Sequence, residues 1–138
     1  MSVETTYLRK LLALRYEWME ARVYAGADKA GYGFLTPAMT RMFGQMGSSP
    51  VSISELARRL SVSRQAVHKM VNIAASHGLV EVLDNPDDGR VKLVVYSNQG
   101  REMAAAARAE LEAIEAELAE KLREKDLQEL KRILAKAW

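Results

Sequence analysis

The 138-residue chain contains no cysteine. That absence excludes disulfides, thiolate nucleophiles, cysteine-ligated zinc and thiol-based redox sensing, and it suits a reducing compartment, so the cytoplasm is the expected location. Long uncharged runs are lacking as well. The longest, Met42 to Ser54, is short and rich in Gly, Ser and Pro, a poor candidate for a membrane span. Near the N-terminus "YLRKLLALRYEWMEARV" is broken repeatedly by charge, unlike a secretory signal. The two histidines stand nine positions apart, and neither a Gly-rich phosphate loop nor metal-ligand spacing occurs, so no enzymatic activity, cofactor or metal is expected. Acidic residues are missing from one stretch. Between Glu55 and Glu81 the chain carries Arg58, Arg59, Arg64, Lys69, His68 and His77 and no carboxylate. The net charge of +2 conceals this, because "REMAAAARAELEAIEAELAEKLREK" holds seven acidic and five basic residues. The central segment therefore makes a local positive field.

What is present reads as one domain, 1–138, long enough to bury about 68 to 70% of the surface of its unfolded chain. From about Thr5 to Ala27, Leu8, Leu11, Leu12, Tyr16, Met19 and Val23 recur at three- and four-residue steps, which predicts an amphipathic helix ended by the glycines at 26, 31 and 33. Thr36 followed by Pro37 is a helix start, the hydroxyl capping and the proline at the first helical position, with the helix running to about Met46. Ser52 and Glu55 have capping-box spacing ahead of "ELARRL". Ser61 to Ser63 turns the chain. A helix follows through "VSRQAVHKMV" and "NIAASH" to Gly78, placed to form a left-handed cap. Its spacing puts Val62, Ala66, Val67, Met70 and Val71 on one face and Arg64, Gln65, His68 and Lys69 on the other.

Beyond Gly78 the period changes. "LVEVL" and "VKLVVY" predict antiparallel strands joined by the turn formers of "DNPDDGR", a loop slightly long for a tight hairpin. Ser97 can cap a long helix with the apolar stripe Met103, Ala107, Leu111, Ile114, Leu118 and Leu122. Asp126 and Glu129 have the spacing to open another, with Leu127, Leu130, Leu134 and Ala137 on one side. This order predicts a mainly α fold with a small antiparallel β wing: a winged helix-turn-helix lobe over 35–97, flanked by long N- and C-terminal dimerisation helices at 1–30 and 98–138.

Five anchors in order, "LTPAM", "SISELARRLSVSRQAVHKMV", "HGLVE", "NPDDGR" and "YSNQGRE", resemble the MarR family of bacterial transcription regulators. The last is similar to the family's Leu-Thr-x-x-Gly helix start, with Tyr96 and Ser97 as mild substitutes. The resemblance implies a homodimer joined through the terminal helices. Three positions depart from it: Val82 and Gly89 stand where the family often carries arginine, and Ala74 where leucine is usual.

An α-helix fits the major groove, where each base pair shows a different set of donors and acceptors. On the polar face, Gln65 is suited to an adenine edge, Arg64 or Lys69 to guanine acceptors, and His68 to donate from its ring, with Ser63 and Asn72 flanking. Ser52 and the first-turn N–H groups of its helix suit a phosphate. The adjacent Arg58 and Arg59 are expected to point different ways, and Arg59 is favoured as the DNA contact. His77 reads as a helix-end residue. The family resemblance implies that Asp88 steadies Arg90 as that arginine enters the minor groove, and Lys92 lies close enough for a phosphate.

The expected function is therefore sequence-specific, homodimeric binding of double-stranded DNA at a roughly palindromic site. The alternative is a winged-helix module that binds another protein without DNA. The resemblance also implies control by a small aromatic acid, for which Tyr16, Trp18, Tyr24, Tyr32 and Phe34 are the candidate lining. Target site, regulated genes and the sense of regulation are not written in the sequence.

Overall fold

The computed structural model describes Ser2 and residues 5–138; Met1, Val3 and Glu4, which fall in the expected 1–30 segment, lie outside the described residues. The chain gathers into two compact units, Met1–Gly33 with Ala107–Trp138, and Phe34–Ala106.

The first helix of the second unit is α2 (Pro37–Gln45), with the Thr36 hydroxyl accepting from the Met39 N–H and Pro37 at the first position. A two-residue strand β1 (Val51–Ser52) leads directly into α3 (Ile53–Leu60), and Ser52 serves both elements, its hydroxyl accepting the Glu55 N–H. Only half of the expected capping box forms. The Glu55 carboxylate does not return to Ser52; it takes Arg58 and Arg59, whose guanidinium groups compete better for a carboxylate than a backbone amide does. Ser61, in the left-handed region at φ 54°, closes α3 and opens the turn. Ser63 then caps α4 (Arg64–Ser76) by accepting the Ala66 N–H.

Gly78, at φ 74°, ends the exit from α4, where a side chain would be strained. The wing is β2 (Val80–Asn85) and β3 (Asp88–Tyr96), and β3 is the middle strand of a three-stranded antiparallel sheet in the order β1-β3-β2. Sequence reading missed β1, because two residues are too short to show a period. Nor is the hairpin loop long: only Pro86 and Asp87 separate the strands, because the strands run on into the turn formers, with an irregularity of register between Asp84 and Asn85.

The core of this unit joins Met39, Met42, Val51, Ile53, Leu56, Leu60, Val67, Val71, Ala74, Val80 and Val94. Val62 stays out of it and is exposed, since it lies in the turn before α4, where helical spacing does not apply. Two contacts lock the strands and the next helix to the rest. The Tyr96 hydroxyl donates to the Phe43 carbonyl at 3.0 Å. Ser97 opens α5 (Asn98–Leu122), accepting the Gly100 N–H and donating to the Gly78 carbonyl, so the first turn of α5 lies directly on the exit from α4.

The first unit comprises α1 (Leu8–Lys29), the part of α5 from Ala107 onward, and α6 (Glu124–Leu134). Gly26 does not end α1; one glycine costs a helix only about 1 kcal/mol relative to alanine, and the helix absorbs it. The start of α6 falls two residues before Asp126, because the chain bends at Arg123, whose φ is 74°. Arg22 pairs with Glu117, Lys121 pairs with the same carboxylate, and both cations lie over the Trp18 ring. Ile114 and Leu127 are buried, yet α1 buries no residue, and Leu8, Leu12, Tyr16, Leu111, Leu122, Leu130 and Leu134 remain exposed in the single chain. Among the described residues no helix is long and apolar enough to cross a membrane.

Two stability predictions follow from the locks around α5. A Cβ at Gly100 would stand 1.9 Å from the Leu79 carbonyl oxygen, so Gly100→Ala is expected to overpack the junction. The expected loss, by urea denaturation, is about 3 kcal/mol; a loss under about 0.5 kcal/mol would disprove the close approach. Burial pushes the Tyr96 phenol from 10.0 up to about 12. The neutral phenol is thus favoured by folding, and the stability linked to it is complete below pH 10.0 and lost as pH rises through about 12. Tyr96→Phe is expected to be less stable by about 1 kcal/mol near neutrality, with the gap to wild type narrowing over that alkaline window.

Candidate nucleic-acid interface

Packing sets the orientation of α4. Val67, Val71 and Ala74 are 0 to 1% exposed, so the residues on the opposite side cannot be turned inward. Arg64, Gln65, His68, Lys69 and Asn72 are all exposed, and none of these side chains makes a hydrogen bond or ion pair among the described residues. Ser63 stands at the N-terminal end of the same face with its oxygen used as the cap. His77 is the C-cap residue and stacks on Phe34, ring centroids 3.6 Å apart and planes 6° from parallel, away from the polar face of the helix.

The cations of the neighbouring elements are held differently. Arg90 is almost fully exposed, at 92% of its side chain, yet its guanidinium is steadied by both oxygens of Asp88. Asp88 also accepts the Arg90 backbone N–H, and these bonds from the Arg90 side chain and backbone hold its carboxyl below the usual carboxylate range. Lys92 pairs with Asp84, its partner directly across the β2–β3 ladder. On α3, Arg58 and Arg59 both reach Glu55, since positions three and four residues on flank one face of a helix. The guanidinium groups of Arg58 and then Arg59 hold the Glu55 carboxyl down at about 2. Arg59 also donates to the Gln45 carbonyl at the end of α2, at 2.9 Å, whereas Arg58 is the more open of the two, at 72% of its side chain against 38%.

Five of these residues converge. Ser52, Arg64, His68, Arg90 and Lys92 line one shallow cleft of about 160 Å³ between the start of α3, the first turns of α4 and the wing, together with Ile53, Ser54 and Val91. Gln65, Lys69 and Asn72 lie outside it along α4, and Arg59 is drawn off toward α2. Ser54 was not singled out from sequence. Its position two residues after the Ser52 cap was the available signal, because the first turn of a helix points its N–H groups and short side chains toward the same end.

The aromatic residues proposed for an effector do not share one unit. Tyr16, Trp18, Tyr24 and Tyr32 belong to the first, where Tyr16 is exposed and Trp18 carries its two cations; Phe34 belongs to the second and is stacked on His77.

Comparison with known proteins fits this geometry. The MarR family model matches residues 35–91, the segment that runs from before α2 into β3. An uncharacterized protein of Mycobacterium tuberculosis is 31% identical over 71 residues, which is 51% of this chain and 50% of that protein. The uncharacterized HTH-type transcriptional regulator YhbI of Bacillus subtilis is 30% identical over 89 residues, 64% of this chain and 56% of that protein. The chain spans about half the length of the curated relatives it matches. Among solved structures, the reduced form of MarR from E. coli superposes with a TM-score of 0.77 at 21% identity, covering 94% of each chain. The YusO protein of Bacillus subtilis gives 0.71 at 22% identity over 98% of this chain and 96% of that one. At such identities these likenesses speak for the fold. The segment 35–91 thus resembles the MarR family, and the fold of the chain is that of the winged-helix structures it superposes on.

Proposed function

We propose that this protein is a sequence-specific DNA-binding regulator that acts as a homodimer on a roughly palindromic duplex site. The observation that carries the reading is the outer face of α4. Five polar side chains stand there without internal partners among the described residues, on a helix whose other face is fixed in the core. Unpaired donors and acceptors on a rigid helix match what readout of base edges in the major groove requires. Gln65 is placed for an adenine edge, Lys69 and Arg64 for guanine or a phosphate, and His68 to donate, while Ser63 and Asn72 mark the ends of the face.

Support comes from the wing. An arginine projecting into solvent while a carboxylate holds its angle, as Asp88 holds Arg90, has its conformational freedom already reduced before it meets a minor groove. Ser52 and Lys92 are assigned phosphate contacts, and Arg59, drawn toward Gln45, is assigned a weaker one. The departures at Val82 and Gly89 leave the wing with fewer cations than the family resemblance implies, which lowers expected affinity without changing the geometry.

Dimerisation is supported by the apolar residues of α1, α5 and α6 that the single chain leaves exposed. A twofold partner would cover them, and would set two copies of α4 about 34 Å apart, on successive major grooves. Control by a small aromatic acid belongs to the proposal through the family resemblance; phenolic acids that released the duplex would support it, and a uniformly negative screen would remove it.

A gel shift on upstream DNA with random duplex as competitor tests the central proposal: preferential retention of the upstream fragment is expected, and equal competition refutes sequence specificity. Affinity should fall with salt, each neutralised phosphate adding roughly −0.9 to the slope of log K against log salt. Arg90→Ala should weaken binding about tenfold across all sequences, while Gln65→Ala should change the preferred sequence. Analytical ultracentrifugation is expected to show a dimer at micromolar concentration; a monomer there would overturn the paired-helix geometry.

A further inference from the structure

We infer that the cleft between α3, α4 and the wing seats a single backbone phosphate of duplex DNA, the one lying between the groove read by α4 and the groove entered by Arg90. On this reading Ser52, Arg64, His68, Arg90 and Lys92 are not separate contacts; they form one site that registers helix and wing on a common phosphodiester. The inference rests on the DNA-binding proposal above and adds to it the identity of the bound group.

Placement comes first. Arg64 and His68 are four residues apart on α4 and share a face, Arg90 and Lys92 are two apart on β3 and share a side of the strand, and Ser52 and Ser54 stand at the start of α3. Three elements thus deliver donors to one space of about 160 Å³, and no carboxylate lines it. Arginine and lysine can only donate, and the Ser52 oxygen already accepts the Glu55 N–H, which leaves its hydrogen to be donated elsewhere. A space walled by donors on several sides suits an oxyanion.

Charge then selects which oxyanion. Two of the three cations arrive with their own carboxylates, Arg90 with Asp88 and Lys92 with Asp84, while Arg64 makes no ion pair among the described residues. Counting the arginines, the lysine and the two paired acids, the site carries one net positive charge. That balances the single charge of a phosphodiester and leaves a phosphomonoester dianion in excess. The paired acids also hold Arg90 and Lys92 in place beforehand, so little side-chain freedom is left to lose on binding.

The consequence is a strong inequality among phosphates. Most contacts along the backbone would be single, exposed and screened, whereas one position in each half-site would meet several fixed donors. The test uses a duplex that the full chain has selected from a random pool. Each backbone position is replaced in turn by an uncharged methylphosphonate, and Kd is measured by fluorescence anisotropy at constant salt. One position per half-site is expected to weaken binding by about tenfold or more, against a few-fold elsewhere. Arg64→Ala, and independently Lys92→Ala, should bind more weakly and should lose the special sensitivity at that position alone. If wild type binds the selected duplex and the scan is flat, or both variants keep the sensitive position, the single-phosphate seat is wrong and DNA binding stands. If no duplex is selected at all, the DNA-binding proposal fails and takes this inference with it.

Discussion

The burial of Val67, Val71 and Ala74 is the constraint from which the rest of the interface descends. These three positions recur at four and three residues, so they fix both the rotation of α4 and its height above the sheet and α3. Once they are committed, Arg64, Gln65, His68, Lys69 and Asn72 have no inward option, and a polar surface is the unavoidable complement of an apolar one. Ala74 tightens this arrangement. Its small side chain is fully enclosed, so the helix sits close to its neighbours there with little latitude to roll.

A second constraint is the position of β3. As the middle strand it pairs with β1 through Val51 and Ser52 on one side and with β2 on the other. Ser52 is at once a strand residue and the cap of α3, so the helix start and the wing are built on the same rail. The junction at Leu79 adds another tie, because Gly78, Ser97 and Gly100 bring the exit of α4 and the start of α5 into backbone contact. Helix, cap and wing thereby acquire fixed mutual positions within this unit without any buried charge, in keeping with a core whose buried residues are all apolar.

Much of this was legible in the sequence. Capping hydroxyls at Thr36, Ser52 and Ser97 announced their helices because a short side chain that can satisfy an orphan N–H favours one place. The Asp88 to Arg90 pairing was implied by family resemblance rather than by spacing, and the structure contains it. What escaped was tertiary in origin. No periodicity can reveal a two-residue strand, whose existence depends on Val94 being opposite Val51. The fate of Glu55 depended on two arginines reaching back, and that of Arg59 on the carbonyl of Gln45, fourteen residues earlier. The convergence of Ser52 with Arg64, His68, Arg90 and Lys92 was out of reach for the same reason: their separate roles follow from residue type, their proximity only from folding.

The register of the wing carries one more implication. Val80 to Asp84 each face a partner on β3 from Tyr96 back to Lys92, and the next rung joins Asn85 to Asp88, so Gly89, Arg90 and Val91 have no opposite number. Lys92 therefore stands on the last regular rung, while Arg90 lies in the unpaired part of β3 and is held by Asp88. The two cations of one strand are thus tethered in different ways, Lys92 across a rung of the ladder to Asp84 and Arg90 along its own strand to Asp88.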